Sequence, residues 1–200
     1  MVKRVVTLVL SVGIAIFQSN VAWADENWFS LGIHVTEDGV AVATADLVLP
    51  TSPEVVYTVL TDYPHWPDLF PQQPRINAIK TEDSRVIVDM AIPAHFLPID
   101  LELVTETREI HPLRLETTLV RGDFDRYDWV WELTPAQDGT QTHATLILNV
   151  QPALWVPDWL MRWLLESELE AHFHKLRTEV MERGEALTIQ PLSTGQEEQS

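Results

Sequence analysis

Hydrophobic and polar positions alternate through most of the middle of this chain and recur at helical spacing in only two places. The alternation is clearest in "RYDWVWELTP", where Tyr127, Trp129, Trp131 and Leu133 share one face and Asp128, Val130 and Glu132 the other. A period of two predicts a strand with one buried face. The same pattern runs through "SRVIVDMAIP" and through "IDLELVTETREI", where Ile99, Leu101 and Leu103 oppose Asp100 and Glu102. It continues in "LRLETTLVRG" (Leu113, Leu115 and Leu119) and in "THATLILNVQP" (Ala144, Leu146, Leu148 and Val150). The joining segments are short and turn-like: "HP" after Ile110, "GDFD" over 122–125 and "AQDGTQ" over 136–141. Short links between alternating strands predict an antiparallel meander. The β-rich stretch "GVAVATADLVLP" predicts one more strand ahead of it.

Helical spacing first follows Pro50. Thr51 or Ser52 can cap a helix with Pro53 in its first position and Glu54 in its first turn. Val55, Val56, Val59 and Leu60 then make a short apolar stripe that ends near Asp62. Pro64, Pro67 and Pro71 cut the next segment, which carries Tyr63, Trp66 and Phe70, into single turns. The second helical segment is long, from Asp158 to about Glu185, with Leu169, Phe173, Leu176 and Val180 in register and Gly184 as a terminator. The expected order is a strand, two short helices, about six antiparallel strands and a long helix, within one α+β domain. A sheet with one apolar face needs cover, and only the C-terminal helix is long enough. A curved sheet of about seven strands wrapped round that helix is the simplest arrangement.

Composition changes the picture at the two ends. Lys3 and Arg4 precede a thirteen-residue apolar run from Val5 to Phe17, and "AWA" over 22–24 has the small-x-small pattern of a processing site. That run falls short of the ~20 residues a bilayer-spanning helix needs. Residues 1–24 therefore read as a cleavable signal peptide, with a mature chain starting at Asp25 and a periplasmic destination. A retained N-terminal anchor is the alternative. Residues 25–38, with Trp28 and Phe29, are expected as an N-terminal arm or short strand, 39–187 as the globular domain, and the polar 188–200 as a disordered tail. The chain has no cysteine, so stability has to come from the core without disulfides. Its 200 residues carry a formal net charge of -17. The first 24 hold Lys3, Arg4 and no acid, so their removal takes the charge to -19. Such a surface repels nucleic acid and offers anionic headgroups no general attraction, so any membrane contact must be apolar and local.

Candidate chemistry is sparse. His172 and His174 are two apart on the long helix and point to different faces, so they cannot jointly hold a metal. Glu168 with His172, or Glu170 with His174, could offer two ligands but no third. Both histidines are expected on a solvated face. His65, His95, His111 and His143 are scattered over loops and strands. Asp123, Asp125 and Asp128 loosely resemble a calcium loop but lack its glycine and its bidentate Glu, which leaves a charged hairpin turn. No Gly-rich phosphate loop, G-x-S-x-G elbow or cysteine nucleophile occurs. No catalytic residue, metal site or cofactor is assigned. The aromatics are more telling. Trp129 and Trp131 form either a flat ligand wall or packed core. In "PALWVPDWLMRWLLESEL", Trp155, Trp159 and Trp163 recur every four residues, with Leu160, Leu164 and Leu165 at other angles. This stretch either meets a membrane, a ligand in transit or a partner, or is covered by the arm that carries Trp28 and Phe29.

Four segments, spanning about Gly39 to Gly184, carry a resemblance to a known family. They are "ADLVLPTSPEVVYTVLTDYPHWPDLFP", the "GDF" turn leading into "DWVWELTP", the "DGTQTHATLILNV" hairpin and the final "PDWLMRWLLESELEAHFHKL" helix. In that order they resemble the START-like helix-grip superfamily, also called the polyketide cyclase or SRPBCC group, and most of all its coenzyme-Q-binding START-type branch. The resemblance implies an internal cavity for a hydrophobic molecule between the sheet and the long helix. Tyr63, Trp66 and Phe70 would then line or lid its mouth, or else simply cap the core. From the strands, Met90, Leu101 and Leu115, the pair Trp129 and Trp131, and the pair Leu146 and Leu148 are the expected lining. Trp159 and Trp163 would contribute from the helix. The implied function is binding or carriage of a lipid or isoprenoid quinone, with transient membrane contact. The alternatives are a cyclase or aromatase-type enzyme in which one His or acid moves protons, and a non-enzymatic envelope assembly factor whose cavity is filled by side chains.

Overall fold

The computed structural model describes residues 28–93 and 99–189. The expected signal peptide with its processing site, His95 and most of the expected tail lie outside the described residues.

The alternating segments form one eight-stranded antiparallel sheet of order β1-β2-β8-β7-β6-β5-β4-β3. Its strands are β1 (Phe29–Val35), β2 (Ala41–Leu49), β3 (Arg75–Glu82), β4 (Arg85–Pro93), β5 (Asp100–Ile110), β6 (Arg114–Gly122), β7 (Phe124–Ala136) and β8 (Gln141–Pro152). From β3 to β8 they make the expected meander. The strand beyond the expected seven is β1. The arm is a strand there because its backbone pairs along β2, from Phe29 opposite Leu47 to Val35 opposite Ala41.

Between β2 and β3 the chain has to cross from one side of the sheet order to the other. It does so through α1 (Pro53–Leu60), a single 3-10 turn at Tyr63–His65, and α2 (Trp66–Leu69). Pro53 stands at the start of α1 as its fixed φ favours, but Ser52 makes no side-chain cap hydrogen bond. The last helix, α3 (Asp158–Ile189), lies over the inner face of the sheet. Leu169, Phe173, Leu176 and Val180 are buried there, as their spacing predicts. The expectation for Gly184 fails, because α3 runs through it to Ile189. This glycine serves a close approach instead: a Cβ on it would stand 3.0 Å from Thr51 Oγ1.

The inner face carries Leu47 and Leu49 of β2, Val88 of β4, Leu103 of β5 and Leu115 of β6, all fully buried. Register places Trp131 between Leu115 and Leu146, and Trp129 between Thr117 and Leu148. Where β5 meets β6 a bulge leaves Val120 without an opposite residue. The strict alternation lapses here, and Leu103, Val104 and Thr105 are all buried in succession.

The tight turn from β6 to β7 depends on Gly122. Its φ is +145°, and a Cβ on it would overlap the carbonyl oxygen of Glu102. Asp123 seals the same corner: its Oδ2 accepts the Glu102 N–H at 2.7 Å and its own N–H donates to Glu102 O at 2.9 Å. Gly122→Ala should therefore cost about 2–4 kcal/mol, combining backbone strain with overlap. Gly139 has φ +84° but nothing within 4 Å of an added Cβ. Gly139→Ala should cost only about 1–2 kcal/mol. Urea denaturation of the two variants checks this, and equal losses would refute the close-approach account.

Candidate functional site

A cavity of about 280 Å³ lies between the inner face of the sheet and α3. It exists because the helix presses on the sheet only with its later turns. Phe173, Leu176 and Val180 are fully buried, whereas Leu164 and Leu165 are half-buried and Trp159 is 70 % exposed. The gap left under the earlier turns is walled by sheet residues on one side and by α2 on another.

Eight of the twelve expected lining residues stand on its wall: Trp66, Phe70, Met90, Leu101, Trp129, Trp131, Leu146 and Leu148. The other four do not. Tyr63 is turned into the core, where its hydroxyl donates to Glu109 Oε1 at 2.6 Å beside Tyr57, which donates to Glu109 Oε2 at 3.3 Å. Burial first, and then the bond to Glu109, push the Tyr63 phenol well above its usual range. Leu115 is fully buried in the core layer. Trp159 and Trp163 sit on the outer side of α3, 70 % and 52 % exposed, and Trp155 just before the helix is 84 % exposed.

The half-buried lining residues gather at one end. Ile92 and Pro93 end β4, Leu101 begins β5, Phe124 begins β7, and Leu164 and Leu165 belong to the first turns of α3. In an antiparallel sheet these strand ends share one edge, and that edge is the cavity mouth. The exposed Trp155 and Trp159 lie beside it, since β8 ends there and α3 begins. Trp28 and Phe29 are elsewhere: they pack on Phe173 and His174, and the Arg177 guanidinium lies 4.7 Å above the Trp28 ring. The described part of the arm therefore does not cover these tryptophans.

His172 is the main correction. Expected on a solvated helix face, it is 5 % exposed and lines the cavity. Its Nδ1 donates to the Leu69 carbonyl oxygen at 2.9 Å. Its ring stacks on Phe70 with centroids 4.4 Å apart and planes 7° from parallel. Lys175 Nζ donates to the Phe70 carbonyl at 3.1 Å. The end of a four-residue helix leaves carbonyls without helical partners; α3 supplies one to Leu69 and a second to Phe70, which also accepts the Gln73 N–H at 3.2 Å. One signal in the sequence was available: His172 falls in step with Leu165, Leu169 and Leu176, at spacings of four and three, on the buried stripe. His174 is exposed, as expected, and meets the Trp28 ring edge-on at 5.4 Å.

The remaining polar groups on the wall are few. Thr105 is 1 % exposed, and its hydroxyl has no hydrogen-bond partner among the described residues. Glu168, one turn before His172, and Gln72 also reach the wall. Burial pushes the Tyr127 phenol up to about 12. His65, His111 and His143 are away from the cavity, beside Asp62, Glu54 and Asp46. Among the described residues no three His, Asp or Glu side chains gather closely enough to hold a metal ion.

A family model described as polyketide cyclase / dehydrase and lipid transport matches residues 49–177. The chain belongs to this family. Its fold is that of solved START-like structures. A STAR-related lipid transfer protein fragment from Xanthomonas axonopodis has a TM-score of 0.63 at 15 % identity, covering 78 % of this chain and 96 % of its own. The Zhui aromatase/cyclase from Streptomyces sp. R1128 has a TM-score of 0.57 at 12 % identity, covering 76 % and 97 %. A START superfamily protein from Mycobacterium smegmatis has a TM-score of 0.55 at 18 % identity, covering 71 % and 98 %. Identities this low establish the helix-grip fold and nothing finer. A comparison with curated proteins gives no match.

The burial of His172 has a consequence in solution. Loss of water lowers its pKa from 6.5 to about 4. The folded value lies below the unfolded one, so this contribution to stability is full above pH 6.5 and is lost as pH falls toward 4. Linkage puts the loss on the order of 3 kcal/mol. Urea midpoints of the unaltered protein should fall more steeply between pH 7 and pH 4.5 than those of His172→Phe, which keeps the ring stack. Parallel curves would show that His172 does not titrate as a buried neutral group.

Proposed function

We propose that the protein binds a hydrophobic small molecule, a lipid or an isoprenoid quinone, in this cavity and carries it through the periplasm after export. The observation that carries this reading is the character of the wall. Apart from aliphatic and aromatic side chains, only Gln72, Thr105, Glu168 and His172 line it among the described residues. An apolar guest replaces water there at a gain of ~25 cal/mol per Å² buried. The volume of about 280 Å³ is near the low end of the roughly 300–1,000 Å³ found for ligand pockets. It suits a ring headgroup or one chain, and a longer tail has to leave through the mouth. The lipid transport activity in the family's description favours carriage. A cyclase needs a group that gives and takes protons during turnover, and taking one at His172 would place a cation among Leu69, Phe70 and Leu169 on the apolar wall.

Membrane contact belongs to the same reading. Trp155 and Trp159 stand at the mouth with their indoles outward, and indole rings favour the headgroup level of a bilayer. No helix among the described residues is long and apolar enough to cross a membrane. With a mature charge of -19 the contact rests on apolar burial and depends little on salt.

Two measurements test the proposal. The protein purified from its native compartment should start at Asp25 and yield a stoichiometric apolar molecule on extraction and mass spectrometry. A retained Met1 would reject processing, and a reproducibly empty cavity would reject carriage. Trp159→Glu should slow ligand exchange with zwitterionic liposomes roughly tenfold or more, because burying an indole contributes a few kcal/mol. Its melting temperature should stay within about a degree or two of the parent, as for surface substitutions generally. Exchange at the parent rate would place the route elsewhere.

A further inference from the structure

His172 offers the cavity a lone pair, not a proton. The Leu69 carbonyl can only accept, so the hydrogen between it and Nδ1 belongs to the imidazole. In the neutral ring Nε2 is then bare. Protonating Nε2 as well would place a cation among Leu69, Phe70 and Leu169 on the apolar wall. It would also set that cation near the Lys175 ammonium, which already holds the Phe70 carbonyl. The acid on the same wall from its own helix is Glu168, one turn earlier, and no described residue donates to Nε2. Across the cavity on β5, Thr105 Oγ1 is unpartnered and can donate or accept. Aromatic rings flank the space: Phe70 stacks on His172, and Trp66 and Trp129 lie with centroids 6.3 Å apart.

We propose that the guest presents a ring hydroxyl, as a phenol or a hydroquinone does, whose O–H donates to His172 Nε2, and that the acceptor-only quinone form of the same ring is disfavoured. This rests on the reading that the cavity takes an apolar, ring-bearing ligand, and it specifies the ring's hydrogen-bonding state. A quinone carbonyl facing Nε2 meets another acceptor, so its oxygen is buried without a partner. A hydroxyl there satisfies both groups. A second oxygen on the ring can still be met by Thr105, which serves either role.

The test compares four probes on the processed, delipidated protein: naphthalene, naphthol, the methyl ether of naphthol, and naphthoquinone. By isothermal titration naphthol should bind roughly three- to tenfold more tightly than its methyl ether or naphthoquinone, the range of one net hydrogen bond. That preference should vanish in His172→Phe, read as the naphthol-to-naphthalene affinity ratio within each protein. If that variant fails to fold, ¹⁵N spectra of the imidazoles in the unaltered protein decide. The His172 Nε2 signal should lie in the unprotonated range and shift when naphthol is added, but not when the ether is. Equal affinities for naphthol, ether and quinone, or a protonated Nε2, would overturn this inference and leave apolar binding standing. If none of the four binds, the inference of a ring-bearing guest falls, and extraction with mass spectrometry still decides lipid carriage.

Discussion

Everything in this fold follows from one unequal contact, a single helix lying over the inner face of an eight-stranded sheet. A helix is narrower than such a sheet, and α3 packs closely only along its later turns. There Phe173 fills the space between β1 and β7, with its ring 5.6 Å from Phe29 and 6.2 Å from Trp131. Glycine at residue 184 eases the close approach to Thr51, where a Cβ would stand 3.0 Å from Oγ1. The earlier turns stand away from the sheet, and the apolar wall they leave uncovered becomes the cavity. Core and cavity are thus the same surface, packed by α3 at one end and left open by it at the other.

The crossing segment between β2 and β3 closes the open end on one side. Its prolines keep α2 to a single turn, and a helix that short leaves its carbonyls unsatisfied. His172 satisfies that of Leu69, and Lys175 joins the Gln73 N–H at that of Phe70. Those two bonds tie α2 to the helix and press Phe70 against the imidazole. The first also determines which nitrogen of His172 carries its proton. A structural hydrogen bond thereby sets the chemistry available to a guest. The helix-grip fold supports both transporters and cyclases, so function has to be argued from this wall and not from the architecture.

Periodicity made most of the architecture legible. Five of the six meander strands, the short α1 and the long α3 are each local patterns, and local patterns survive in the sequence because burial repeats every two or 3.6 residues; β3, exposed at all but one position, shows no such period. Eight of the cavity residues were legible too, once the resemblance to a family supplied a cavity for them to line. What failed was whatever depended on a partner far along the chain. Tyr63 reads like Trp66 and Phe70 in sequence, yet Glu109, forty-six residues later, draws it into the core. Gly184 reads as a helix stop, yet it is a contact point for Thr51.

By itself the sequence determined the strand order along the chain, the faces that strands and helices bury, the aromatic character of the proline-cut segment and the anionic surface. Each is a sum of local preferences or a count of residues. Only the tertiary structure decided that α3 closes on part of the sheet and leaves the rest open, and that His172 is buried with its Nδ1 proton committed. It also decided that Trp155 and Trp159 stand outward at the mouth. These outcomes are set by distances between residues as many as 105 positions apart. His172 meets Leu69 across 103 residues, and no periodicity in a chain encodes a hydrogen bond of that separation.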